Sequence, residues 1–165
     1  MAADLPLPDD GAGPALAGEY AAARARAGRV MAILRAMGPR REVLRAFLAL
    51  ADAALYGPAE LGRREREVLA LATSEANQAA YSADVHAALL ERLGGGPRAG
   101  PRDEALVGFA RRVTLAPAES GEAVTELRAH LSVAEVYDAI AVVGLLNFAN
   151  RAALATGISV ADDLE

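Results

Sequence analysis

Apolar residues recur along this chain at the three- and four-residue spacing of an amphipathic helix. No segment shows the strict alternation of a half-buried strand. Residues 15–37 read as helix, in two pieces joined near Gly28, and Gly38-Pro39 stops them. Residues 41–55 follow, with Val43, Leu44, Phe47, Leu48 and Leu50 on one face, and Gly57-Pro58 closes that helix. Residues 61–77 make the next, with Val68, Leu69, Leu71 and Ala72 turned inward. A helix over 78–93 opens on the unusual run Asn77-Gln78-Ala79-Ala80-Tyr81-Ser82. The Gly- and Pro-rich residues 94–101 are a loop. Residues 103–115 are helical again, with the acidic start that a helix dipole favours. Glu119 or Ser120 opens a further helix, apolar on one side from Val124 to Leu131. Ser132 and Glu135 form a capping box for a long helix over 133–156, which Gly157 ends. The pattern predicts one all-α domain over 15–165, behind a flexible leader over 1–14 rich in Pro, Gly and Asp.

Composition narrows this picture. The chain has 165 residues, enough for one domain with its own core. Hydrophobic residues make up 53% but aromatic ones only 4%, and Ala, Leu and Val dominate. That mixture favours close helix–helix packing over a β-sandwich. The net charge is −5 and every basic residue is Arg, scattered among acids. The densest run, Arg63-Arg64-Glu65-Arg66-Glu67, reads as a mixed-charge helix start, so no nucleic-acid partner is expected. No apolar run reaches the roughly 18 residues of a membrane span. The longest covers residues 139–148, and the acidic, Pro-rich N-terminus does not resemble a signal peptide. A cytoplasmic protein with no membrane partner is expected.

Cysteine is absent, which excludes disulfides, thiolate catalysis and cysteine-based metal sites. His86 and His130 are the two histidines, too few to expect a structural zinc site. Gly94-Gly95-Gly96 lacks the strand before it and the Lys and Ser/Thr after it that a phosphate loop needs. No cofactor is expected. The stretch from Arg63 to His86 holds the candidate chemistry. Ser82 and His86 stand four residues apart and share one helix face. An imidazole can shuttle a proton, and a neighbouring hydroxyl can donate to developing charge. Plainer roles stand beside these. His86 also reads as a core histidine satisfied by a carboxylate, Ser82 as a helix residue bonded back to its own backbone, and Tyr81 as packing. Asn147, Asn150 and Arg151 read as a clamp between helices or subunits. His130 reads as a surface group near a helix end.

The same stretch resembles the signature of the alkylhydroperoxidase (AhpD-like) branch of the carboxymuconolactone decarboxylase superfamily. Peroxidases of that branch carry a Glu on one helix, an Asn-containing turn, then Cys-x-Tyr-Cys-x-x-x-His. Here Glu67, Asn77, Tyr81 and His86 match in type and spacing, while the two cysteine positions fall on Ala79 and Ser82. Residues 41–55 resemble the helix before the signature. Asn147-Phe148-Ala149-Asn150-Arg151 with Gly157 resembles the closing helix, so the likeness covers residues 24–160.

The resemblance implies an AhpD-like bundle of about six to eight helices and a homo-oligomer, whether dimer, trimer or hexamer. It implies that Glu67 reaches His86 from the preceding helix and orients it as a general acid/base, with Ser82 as the third catalytic group. Tyr81, Ala79 and Asn147 would contact substrate. The family's peroxidases reduce their substrate with a dithiol that closes to a disulfide. Ala79 has no nucleophile and Ser82 cannot enter a disulfide, so that chemistry is excluded here. The decarboxylase branch does acid/base work without a dithiol, but tends to carry Glu where this chain has Ser82. Three readings follow. One is a cofactor-free acid/base catalyst of lyase, decarboxylase or isomerase type acting on a small, largely apolar molecule. The second is a non-catalytic ligand-binding or scaffold member. The third is a cysteine-substituted variant of a peroxidase.

Overall fold

Eight α-helices, and no strand, run through the described residues of the structure, a computed structural model that describes Leu5, Leu7, residues 16–95 and residues 100–163. They are α1 (Ala17–Ala27), α2 (Ala32–Met37), α3 (Arg41–Ala51), α4 (Arg63–Ala76), α5 (Ala80–Arg92), α6 (Pro101–Leu115), α7 (Ser120–Leu127) and α8 (Val133–Thr156). The expected all-α class holds. The leader, apart from Leu5 and Leu7, and loop residues 96–99 lie outside the described residues.

Helix boundaries follow local chemistry. Gly28 ends α1 in the left-handed region at φ 77°, where a side chain would be strained. The helix expected over 41–55 is α3 followed by a wider π turn, Asp52–Tyr56. Arg66, itself buried, donates to the carbonyls of Ala54 and Gly57 at the end of that turn. α5 starts at Ala80 rather than at residue 78, because Gln78 takes φ 56° and turns the chain between α4 and α5. α6 starts at Pro101, two residues earlier than expected. Proline suits a first helical position, whose N–H would find no helical partner. Ser132 caps α8 as read: its Oγ accepts from Glu135 N, and Glu135 Oε2 accepts from Ser132 N at 2.7 Å.

α4 is the hub, packed against α5, α6 and α8. With neighbours on three sides its buried face is wide, so Ala70 is fully buried while Leu71, expected inside, is half-buried. α8 is long and apolar enough to cross a bilayer by length and composition, which the reading of residues 139–148 did not anticipate. Its packing is that of a core helix: Val142, Val143, Leu145 and Leu146 are buried, and its buried Asn150 accepts from Ser74 Oγ on α4 at 3.3 Å.

The core has two parts. One joins α4, α6, α7 and α8 around Val68, Leu69, Leu106 and Val142. The other gathers Leu16, Tyr20, Ile33, Leu34 and Leu44 of the N-terminal third around Tyr81 and Ala153. Phe47 packs against both. A cavity of about 170 Å3 lies at this seam, bordered by Ile33, Leu34, Leu55, Leu145, Leu146 and Ala149.

Candidate active site

Glu67 and His86 come from neighbouring helices, α4 and α5, and meet: His86 Nδ1 and Glu67 Oε2 are 2.6 Å apart. Glu67 is completely buried and His86 nearly so. With the carboxylate accepting from Nδ1–H, the imidazole is held in the tautomer whose lone pair lies on Nε2. Nε2 has no protein partner among the described residues, and His86 borders the seam cavity.

Glu67 has a second partner that the sequence reading missed. Arg63, one turn earlier on α4, forms an ion pair with the other carboxylate oxygen. Its guanidinium also lies 5.0 Å over the ring of Tyr56, a cavity residue. Burial pushes the Glu67 carboxyl up. The hydrogen bond and charge of His86, with Arg63 behind them, outweigh that push and hold it below the ordinary carboxylate value. The signal for Arg63 was its place four residues before Glu67, which reads equally well as solvent-exposed helix charge.

Ser82 is buried and borders the same cavity, one turn before His86. Its Oγ has no hydrogen-bond partner among the described residues, so the structure does not join it to the Glu67–His86 pair. Tyr81 also borders the cavity, but its hydroxyl is engaged: it donates to Asp163 Oδ2 at 3.1 Å and accepts from Ile33 N at 3.5 Å. Burial, and then the Asp163 carboxylate, push the Tyr81 hydroxyl well above the usual phenol range. Asp163 also accepts from Ala32 N at 2.6 Å and so ties α2 to the end of the chain. Nothing in the pattern around Asp163 marked it.

Two expected contacts are not at this cavity. Ala79 is buried at the N-terminus of α5, where its carbonyl accepts from Ala83 N. Asn147 faces α4 and α6 instead: its Oδ1 accepts from Asn77 Nδ2 at 2.9 Å and its Nδ2 donates to Thr114 Oγ1 at 3.1 Å. Arg151 donates to Asn147 as well, so these residues form an inter-helix clamp. Asp84 is exposed and His130 lies on the surface. Among the described residues no cluster of three or more His, Asp or Glu side chains is placed to hold a metal ion.

The carboxymuconolactone decarboxylase family model matches residues 41–98, from α3 through the Glu67–His86 pair. No curated protein matches the chain. Among solved structures, it is similar to an alkylhydroperoxidase AhpD core, an uncharacterized peroxidase-related protein from Ralstonia eutropha JMP134. The identity is 27% and the TM-score 0.80, over 93% of this chain and 89% of that one. A peroxidase-related protein from Silicibacter sp. TM1040 is as near, at 27% identity and TM-score 0.80 over 96% and 90%. The debrominase Bmp8, as a cysteine-to-alanine variant in complex with 2,3,4-tribromopyrrole, shares the fold at 17% identity, with TM-score 0.82 over 100% and 99%. The family match over residues 41–98 and the structural likeness over nearly the whole chain together support an AhpD-like member of the carboxymuconolactone decarboxylase superfamily.

Proposed function

We propose that the protein is a cofactor-free acid/base catalyst acting on a small, largely apolar molecule in the seam cavity. One observation carries this reading: the Glu67–His86 pair stands intact at a cavity wall, with Nε2 free to meet a ligand, in a chain that has no thiol. His86 Nε2 takes a proton from a carbon acid. The electron pair of that C–H bond moves into an enolate, and the imidazolium is stabilised by Glu67. Arg63 neutralises the rest of the carboxylate. Ser82 Oγ–H donates to the developing oxyanion, and Nε2 returns the proton at the same or a neighbouring atom. Isomerisation and elimination share this proton abstraction; decarboxylation reaches the same enolate by loss of CO2 and shares the oxyanion contact and the delivery of a proton to carbon.

The test is deuterium incorporation from D2O into a panel of small cyclic ketones, lactones and β-keto acids, followed by NMR. Exchange should fall about 100- to 10,000-fold in His86→Gln. Equal exchange in the variant and the parent would sink the proposal. The missing Ser82–His86 hydrogen bond favours a second reading, a ligand-binding member without turnover. That reading expects no exchange with any member of the panel.

The outer face of α8 supports a homo-oligomer. Tyr137, Ile140 and Phe148 are exposed there with Gly144 between them, on the side of α8 away from its buried Val142, Val143 and Leu146.

A further inference from the structure

The cavity wall restricts the ligand in three ways. Size is the first. At about 170 Å3 the cavity is a little larger than the roughly 150 Å3 apolar cavity that accepts benzene. One five- or six-membered ring fills that space and two fused rings overfill it.

Polarity is the second. Ile33, Leu34, Phe47, Leu55 and Leu146 form an apolar wall, so an ionised ligand body would lose its hydration without compensation. The charged side chains that border the cavity, Arg29 and Asp52, are both exposed rather than set in this wall.

Hydrogen-bond inventory is the third. Tyr81 spends its hydroxyl on Asp163 and Ile33. Of the buried polar side chains on the cavity wall, Tyr81, Ser82 and His86, two keep an atom without a partner among the described residues: His86 Nε2, an acceptor because Nδ1–H is held by Glu67, and Ser82 Oγ. They sit one helical turn apart on the same face, where residues are about 5–6 Å apart at Cβ, close enough for one atom to reach both. A carbonyl oxygen accepts from Ser82 but leaves Nε2 unpaired. A hydroxyl does both, donating to one and accepting from the other.

We propose that the cavity binds a neutral single-ring compound of the phenol type, its O–H donating to His86 Nε2 and its oxygen accepting from Ser82 Oγ–H. The inference rests on the site described under the proposed function, but needs binding only, not turnover.

Calorimetric titration of the full chain with phenol, anisole and 2-naphthol tests it. Phenol should bind, and anisole, which keeps the ring and oxygen but lacks the O–H, should bind about tenfold more weakly, the equivalent of one buried hydrogen bond. 2-Naphthol, with the same donor on a larger body, should also bind more weakly than phenol. Ser82→Ala, checked for fold by circular dichroism, should weaken phenol and anisole alike, since the oxygen of each accepts from Ser82, and should leave the preference for phenol over anisole in place. Anisole binding as well as phenol, 2-naphthol binding better, or no phenol binding at millimolar concentration each overturns the proposal. Phenol selectivity without any deuterium exchange would uphold this inference and remove the catalytic reading. Exchange without phenol selectivity would do the reverse.

Discussion

A carboxylate taken out of water stays ionised only where its surroundings replace what water supplied. Glu67 has two such replacements, one on each oxygen, and the consequences are measurable. Because its folded value lies below the ordinary 4.5, its stabilising effect is fully present above that value and is lost as pH falls through the lowered one. Melting temperature should therefore drop on acidification below about pH 5, and Glu67→Gln should flatten that part of the profile. Glu67→Leu strands Arg63 and His86, and should cost about 3–5 kcal/mol in chemical denaturation. Spacing made Glu67, His86 and Ser82 legible in the sequence, since i, i+4 placement and a family signature fix where a helix points its side chains. Arg63 was not legible, because an Arg among alternating charges looks the same whether it faces solvent or a buried acid. Asn147 was misplaced for a related reason. It sits beside cavity residues in the chain, yet on a helix one residue is a turn of about 100°, enough to aim it at α6.

Helices were easier to read than side chains. Gly28, Gly38-Pro39, Gly57-Pro58 and the Ser132–Glu135 box all act where the pattern put them, because each works through local backbone geometry. The π turn at Asp52–Tyr56 was invisible because Arg66, from α4, holds its carbonyls, and the left-handed Gln78 because its turn is closed by the backbone bond from Ala79 N to Ser74 O, at a residue type that gives no such signal. Two substitutions separate local from tertiary control. Gly28→Ala, with open space around the new methyl but φ at +77°, should destabilise by about 1 kcal/mol through backbone strain alone. Ser132→Ala should cost about 1 kcal/mol by removing the cap of α8. Thermal melts of both variants check this. A cost near zero at Gly28 would mean that α1 ends differently in solution.

At the scale of the molecule, the exposed Tyr137, Ile140 and Phe148 on α8 ask for a cover. Light scattering should give a multiple of 17.0 kDa, and Ile140→Glu with Phe148→Glu should reduce it. A parent mass equal to one chain would remove the oligomer. The bond from Asp163 to Ala32 and Tyr81 has a different reach, because it spans 131 residues of sequence. The helices of the second core cluster come from the first part of the sequence, yet one wall of their cavity is held by a residue that follows all eight helices. The ligand chamber therefore takes its shape only when the turn carrying Asp163 has come back to α2 and α5. Asp163→Ala should therefore lower ligand affinity more than it lowers the melting temperature, because it frees Ala32 and Tyr81 without touching the α4–α8 core.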